Sequence, residues 1–171
     1  MEIFGIIGWK NSGKTGLMER LVAELTRRGF SVSTIKHAHH AFDIDQPGKD
    51  SHRHRLAGAN QVLLASSRRW ALMSELRDAP EPTLAELLAK LSPVDLVLIE
   101  GYKRDSHPKI EAHRAANGTP LIAADDPTVL AVASDTEHGD LAAPVLHLDA
   151  TQEIADFILR ATGLQGLEKT A

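Results

Sequence analysis

No cysteine occurs anywhere in the 171 residues, so neither a disulfide framework nor a thiolate metal centre can form, and zinc-finger and thioredoxin-like readings are excluded. No apolar run approaches the length of a membrane span. The start, Met1-Glu2-Ile3-Phe4-Gly5-Ile6-Ile7, lacks the basic head and long apolar stretch of an export signal, which makes a cytoplasmic protein the simplest reading. An excess of basic charge is also missing. Nineteen Lys and Arg stand against 23 Asp and Glu for a net charge of -4, which argues against a general nucleic-acid coat. No internal repeat is visible.

What is present is 43% hydrophobic residues, enough at this length for one well-buried core and too little to expect two. A single nucleotide-binding domain is expected over residues 1–162, with a patternless tail over 163–171 expected to be disordered. Ile3 to Ile7 is almost wholly apolar and ends at Gly8, as in a strand buried on both faces of a parallel sheet. Leu17, Leu21, Val22 and Leu25 then recur at helical spacing, and Gly29 is the stop. Phe30 to Lys36 reads as a second strand, followed by a His-rich polar loop from His37 to Asp50.

A short helix over Ser51 to Gly58, capped by Ser51, precedes a strand pair at Gln61 to Ala65 and Trp70 to Met73. Thr83 and Glu86 form a capping box for a helix running to Leu91. Val94 to Gly101 is a buried strand ending in an acid. Short runs at Leu121 to Ala124, Val129 to Ala133 and Val145 to Leu148 read as further strands, and Thr151 to Leu159 as an amphipathic helix. This alternation predicts a three-layer α/β fold of the P-loop NTPase type, with a mainly parallel sheet and an added antiparallel strand pair.

The chemistry is concentrated in Gly8-Trp9-Lys10-Asn11-Ser12-Gly13-Lys14-Thr15, a complete phosphate-cradling loop between a strand and a helix. Phosphates need many inward-pointing donors and no side chains in the way. Gly8 and Gly13 let backbone N–H groups wrap the β-phosphate, the helix presents its positive end, Lys14 reaches the β- and γ-phosphates, and Thr15 offers a hydroxyl to Mg²⁺. Lys10, Asn11 and Ser12 complete the nucleotide contact. A magnesium ion bridging phosphates also needs a carboxylate, and Glu100, closing a buried strand before Gly101, has the pattern of a Walker B acid; a solvated Glu capping a strand is the other reading.

The loop carries His37, His39, His40, Asp43, Asp45, Lys49 and Asp50, and His52 and His54 follow. Asp45 is a candidate to assist Mg²⁺, and a histidine-held transition metal is the competing reading. Base choice needs a carboxylate facing the N1 and N2 donors of guanine; Asp135, at the end of Val129 to Asp135, is the candidate, with a turn Asp as the alternative. Arg53, Arg55, Arg68, Arg69, Lys103 and Arg104 would bind a second anion if they shared a cleft.

Together these segments resemble the molybdopterin-guanine dinucleotide biosynthesis protein B family, usually called MobB. The resemblance rests on GWKNSGKT at 8–15, KHAHHAFDID at 36–45, PGKDSHRHRLAGA at 47–59, RWALMSE at 69–75, DLVLIEGYK at 95–103 and AVASD at 131–135. It implies GTP and Mg²⁺ binding, weak intrinsic hydrolysis, a homodimer, and assistance to a partner transferase of the MobA type that joins GMP to molybdopterin. It also implies phosphate contact by Gly8 to Thr15, a Walker B role for Glu100, and a place near the base for Asp135.

Two departures from the pattern stand out. Gly16 replaces a common second Thr, and Lys10 is one place late for the lysine of dimeric deviant-Walker ATPases, so no lysine acting across a dimer is inferred. A metallochaperone GTPase using the histidines and a small-molecule kinase are the rival functions.

Overall fold

The computed structural model describes residues 1–38, 43–139 and 141–167. In chain order the elements are β1 (Glu2–Ile7), α1 (Lys14–Arg27), β2 (Val32–Lys36), α2 (Asp50–Leu56), β3 (Gln61–Ala65), β4 (Trp70–Ser74), α3 (Leu84–Leu88), β5 (Leu96–Glu100), β6 (Lys109–His113), β7 (Val129–Ser134), β8 (Val145–His147) and α4 (Thr151–Ala161). They fall into two compact units, Met1–His37 with Leu91–Ala171, and Ala38–Lys90.

The first unit is built on a six-stranded sheet in the order β2-β5-β1-β6-β7-β8, with every neighbouring pair parallel. Parallel neighbours require crossovers, and the apolar character of β5, buried along its whole length, is what a central strand covered on both faces needs. Phe4, Ile6, Leu96, Leu98, Ile110, Ala112, Ala131 and Ala133 pack against Leu17, Leu21 and Leu25 of α1 and Ile154, Ala155 and Ile158 of α4. The two helices are also tied by charge. Arg28 binds Asp156 and Glu24, and Arg20 donates to Thr151 Oγ1 at 3.0 Å and to the Leu148 carbonyl at 2.8 Å.

The second unit carries the expected hairpin, β3 against β4 in antiparallel register from Gln61↔Ser74 to Ala65↔Trp70. The Thr83–Glu86 capping box is present, with both reciprocal bonds made. The mainly parallel sheet with its separate antiparallel pair is the P-loop NTPase architecture that the sequence predicts.

Several local expectations differ. Leu121 to Ala124 is no strand but a 3-10 turn at Ile122–Ala124, while Lys109–His113, absent from the sequence reading, is a fully buried strand. Its apolar residues, Ile110 and Ala112, cover only the helical face; Lys109, Glu111 and His113 alternate with them on the other face, so no apolar run marks it. Ser51 does not cap its helix. The N-cap is Lys49, and Ser51 lies inside the first turn, buried, donating its hydroxyl to Asp45 Oδ1 at 2.6 Å. The Thr83 helix stops at Leu88 rather than Leu91. From residue 168 the expected disordered tail lies outside the described residues, but its beginning packs: Leu164 lies against the core and its N–H reaches the Leu159 carbonyl at 2.8 Å.

Candidate phosphate-binding site

β1 ends at Ile7, and the chain turns through Gly8 into the loop that enters α1. Gly8 adopts φ +143, and a Cβ there would sit on the Ala112 carbonyl oxygen and 2.6 Å from Ser12 Oγ. Only glycine fits, because β6 runs directly alongside: Ile7 stands in register with Glu111. Asn11 takes a left-handed φ of 63, and Gly13 is the N-cap of α1 with no side chain occupying the cap, so the first N–H groups of the helix remain for a ligand.

Lys14 folds over this loop, its Nζ 2.6 Å from the Trp9 carbonyl and 3.5 Å from Ser12 Oγ. Burial pushes its pKa below the ordinary lysine value; Glu100 opposes this, and the ammoniums of Lys36 and Lys103 push it down further. Thr15 Oγ1 donates to Glu100 Oε1 at 3.3 Å. Glu100 itself is buried at the end of β5, at the edge where the sheet delivers the carboxyl ends of its parallel strands. A hydroxyl and a carboxylate oxygen side by side are the hard donors that Mg²⁺ takes. A cleft of about 490 Å³ opens beside them, with Met18, Val22, Thr34 and Lys36 among its lining residues.

Gly101, after the acid, has φ +101, and a Cβ on it would stand 2.9 Å from His37 Cβ. The chain leaving β2 crosses here, its His37 N–H bonded to the Glu100 carbonyl at 2.9 Å. The His37 and Tyr102 rings lie 4.7 Å apart.

The far side of the loop is bracketed by residues 114–120. Trp9 Nε1 donates to the Pro120 carbonyl at 2.8 Å, Asn117 Nδ2 donates to the Lys10 carbonyl at 3.3 Å, and Arg114 Nε lies 3.2 Å from the place a Cβ on Gly13 would take. Lys103 Nζ stands 4.0 Å above the Trp9 ring, a cation–π arrangement. Asp135 follows β7. Its Oδ1 accepts the Ala115 N–H at 2.9 Å and its Oδ2 is 3.8 Å from Arg114. The Ala115 bond, more than Arg114, holds its carboxyl below the usual aspartate range. Asp135 is thus on the ligand edge, as its strand position predicts, but already engaged in holding the 114–120 segment.

Gly8, Gly13, Lys14, Thr15 and Glu100 come together as the sequence reading expects. Lys10 contributes its backbone carbonyl to the bracket. Asp45 belongs to the second unit, where its carboxylate accepts from Ser51 and from Arg55 Nε at 3.2 Å. Arg55 also binds Asp43 and Glu75, at 2.8 Å each, so it is an internal cross-link rather than a free anion site. Arg53 reaches Asp50 only at 3.9 Å. His39 and His40 lie outside the described residues, and among the described residues no group of three or more metal-ligating side chains gathers.

The sequence reading names Lys103 among the candidates for a second anion, but gives Lys36 and Arg114 no such part. Both follow the rule that parallel strands end at the ligand edge: Lys36 closes β2, read as a strand but not for its charge, and Arg114 follows β6, the strand absent from the sequence reading.

The wider comparisons agree. The profile of the MobB family, molybdopterin guanine dinucleotide synthesis protein B, matches residues 3–135. A molybdopterin-guanine dinucleotide biosynthesis adapter protein of Haemophilus influenzae is 42% identical over 161 residues, spanning 92% of this chain and 88% of that one. The protein so named in Escherichia coli is 39% identical over 162 residues, spanning 93% of this chain and 92% of its own. A crystal structure of a molybdopterin-guanine biosynthesis protein B matches with a TM-score of 0.73 at 26% identity, covering 93% of this chain and 99% of that chain. With the family profile matching residues 3–135 and relatives 39–42% identical over most of its length, this chain belongs to the MobB family.

Proposed function

We propose that this protein is a GTP-binding adapter of molybdopterin guanine dinucleotide biosynthesis, assisting a MobA-type transferase that attaches GMP to molybdopterin, with weak Mg²⁺-dependent GTPase activity of its own. The observation that carries the reading is the Thr15–Glu100 pair beside the glycine loop, in a chain whose relatives are named adapters of that synthesis. Gly8 to Thr15 hold the phosphates, Lys14 contributes charge, Thr15 and Glu100 take Mg²⁺, and Asp135 reads guanine. Asp45 is an additional Mg²⁺ candidate only if its bonds to Ser51 and Arg55 open.

Mg²⁺ held by Thr15 and Glu100 would neutralise phosphate charge; everything else falls to the chain's own residues. Lys14 orients the phosphates through a short bond network, and Glu100, buried and fixed by its strand, holds Thr15 in place. Fast hydrolysis also needs an oriented water and a positive group on the developing charge, worth about 10³ to 10⁵ in rate when an arginine supplies it. Arg55, one candidate, is committed to Asp43, Asp45 and Glu75. Arg114, beside Gly13, faces Asp135 at 3.8 Å; with both arginines turned to carboxylates the protein alone is slow, and a partner or the pterin completes the site.

A homodimer fits the exposed apolar residues of the hairpin, Leu63, Leu64, Trp70 and Leu72, since isolated faces of this kind seek cover. A cytoplasmic setting suits a nucleotide-dependent assistant, and among the described residues no helix is long and apolar enough to cross a membrane.

Single-turnover GTP hydrolysis tests the reading. The purified protein should turn over well below the median enzyme rate of about 10 s⁻¹, and adding transferase and molybdopterin should change GTP turnover or product formation. Rapid hydrolysis by the protein alone, indifferent to the partner, would reject the adapter role.

A further inference from the structure

Glu100 Oε1 serves two partners at once. Thr15 Oγ1 donates to it at 3.3 Å, and Lys36 Nζ stands 3.3 Å from the same oxygen. Lys36 and Glu100 are in register on adjacent strands, β2 and β5, so both backbones are fixed and only the lysine's long side chain is adjustable. That side chain is 58% exposed; an ion pair at such a position is worth little and is given up readily. An ammonium and a divalent cation compete for the same carboxylate lone pairs.

The charge count around the loop points the same way. Lys36 and Lys103 both lie near enough to Lys14 to repel its ammonium, so positive charge gathers at the loop, an arrangement that suits a polyanion. Leaving Glu100 would place the Lys36 ammonium at the mouth of the cleft it lines with Thr15.

Resting on the nucleotide-binding reading, we propose that Lys36 distinguishes nucleoside triphosphate from diphosphate. It pairs with Glu100 as seen here and, when Mg²⁺ takes that carboxylate, swings its ammonium to the terminal phosphate. The residue thereby links occupancy of the cation position to recognition of the γ-phosphate, and supplies a positive charge on the β2 side of a site where the following loop carries no arginine.

The test is calorimetric titration with GTP and with GDP at saturating Mg²⁺, and a Mg²⁺ titration at fixed GDP, for the wild type, Lys36→Ala and Lys36→Arg, with thermal unfolding recorded for each. Lys36→Ala should weaken GTP about tenfold, the loss of one charge-assisted phosphate contact, and leave GDP within about twofold. It should also move the Mg²⁺ midpoint with GDP to lower concentration, because the competing ammonium is gone. Lys36→Arg should keep the preference for GTP.

Equal weakening of GTP and GDP, or an unmoved Mg²⁺ midpoint, would overturn the proposal while leaving nucleotide binding intact. A wild type that binds neither nucleotide would overturn this inference and the proposed function together.

Discussion

Thr15 and Glu100, 85 positions apart in the chain, meet through a hydrogen bond of 3.3 Å from the threonine hydroxyl to the carboxylate. Parallel pairing of β1 with β5, Ile6 opposite Glu100, fixes the strand end that carries Glu100 and the start of the loop that leads into the helix of Thr15. If this pair takes Mg²⁺, Glu100→Gln should lose hydrolysis more than nucleotide binding and flatten the dependence of binding on Mg²⁺, since a neutral amide is a poor ligand for a hard cation. Titrations of wild type and variant across a Mg²⁺ series check it; identical Mg²⁺ dependence would place the cation elsewhere.

Gly8 is the point of closest approach between the loop and β6. Gly8→Ala must displace either the Ala112 backbone or the loop, so it should cost about 1–3 kcal/mol of stability and abolish GTP binding even in the folded protein. Urea unfolding together with GTP titration measures both, and a variant that binds normally would contradict the cradle.

Asp135→Asn offers a clean separation of roles. The amide carbonyl can still accept the Ala115 N–H that Oδ1 accepts at 2.9 Å, so thermal stability should change little. A base-reading carboxylate would nevertheless be lost, and GTP should weaken much more than ATP. Parallel losses for both nucleotides would assign Asp135 to holding the 114–120 segment alone.

His107 is buried against Gly5, and among the described residues neither of its ring nitrogens finds a hydrogen-bond partner. Burial pushes its pKa below the ordinary value of 6.5; Lys109 adds to this, and Asp105 and Asp126 oppose it. With the folded pKa below the unfolded one, the unfolded chain binds more protons in the window beneath 6.5, so the contribution is full above that value and is lost as pH falls through the folded pKa. His107→Leu should therefore lose stability less steeply than wild type between about pH 6.5 and 5. Unfolding midpoints across that range test it; parallel curves would show that His107 titrates normally.

The loop, its helix and β5 were legible because each signal is contiguous: a glycine pattern, a 3.6-residue period, and four apolar residues before an acid. β6 was not, because one face of Lys109–His113 is polar and buried, Lys109 donating to Thr128 Oγ1 at 2.6 Å and Glu111 accepting from the Ala123 N–H at 2.9 Å. Partners brought by the fold, and not by the strand's own sequence, offset much of that burial, though among the described residues Glu111 Oε1 finds none. With β6 hidden, Arg114 had no reason to be placed beside Gly13. The same limit applies to Ser51 and Asp45: both sit where a cap and a metal ligand are plausible, and their actual bonds depend on how Arg55 draws Asp43, Asp45 and Glu75 together.

The central claim is a GTP site built on Lys14, and direct binding tests it most simply. Calorimetry of the full chain with GTP and with ATP in Mg²⁺, repeated on Lys14→Ala, should show GTP bound in preference to ATP by the wild type and neither bound by the variant, whose thermal unfolding stays close to wild type because the Lys14 ammonium bonds to Trp9 and Ser12 of its own loop. A folded Lys14→Ala protein with unchanged GTP affinity would contradict it.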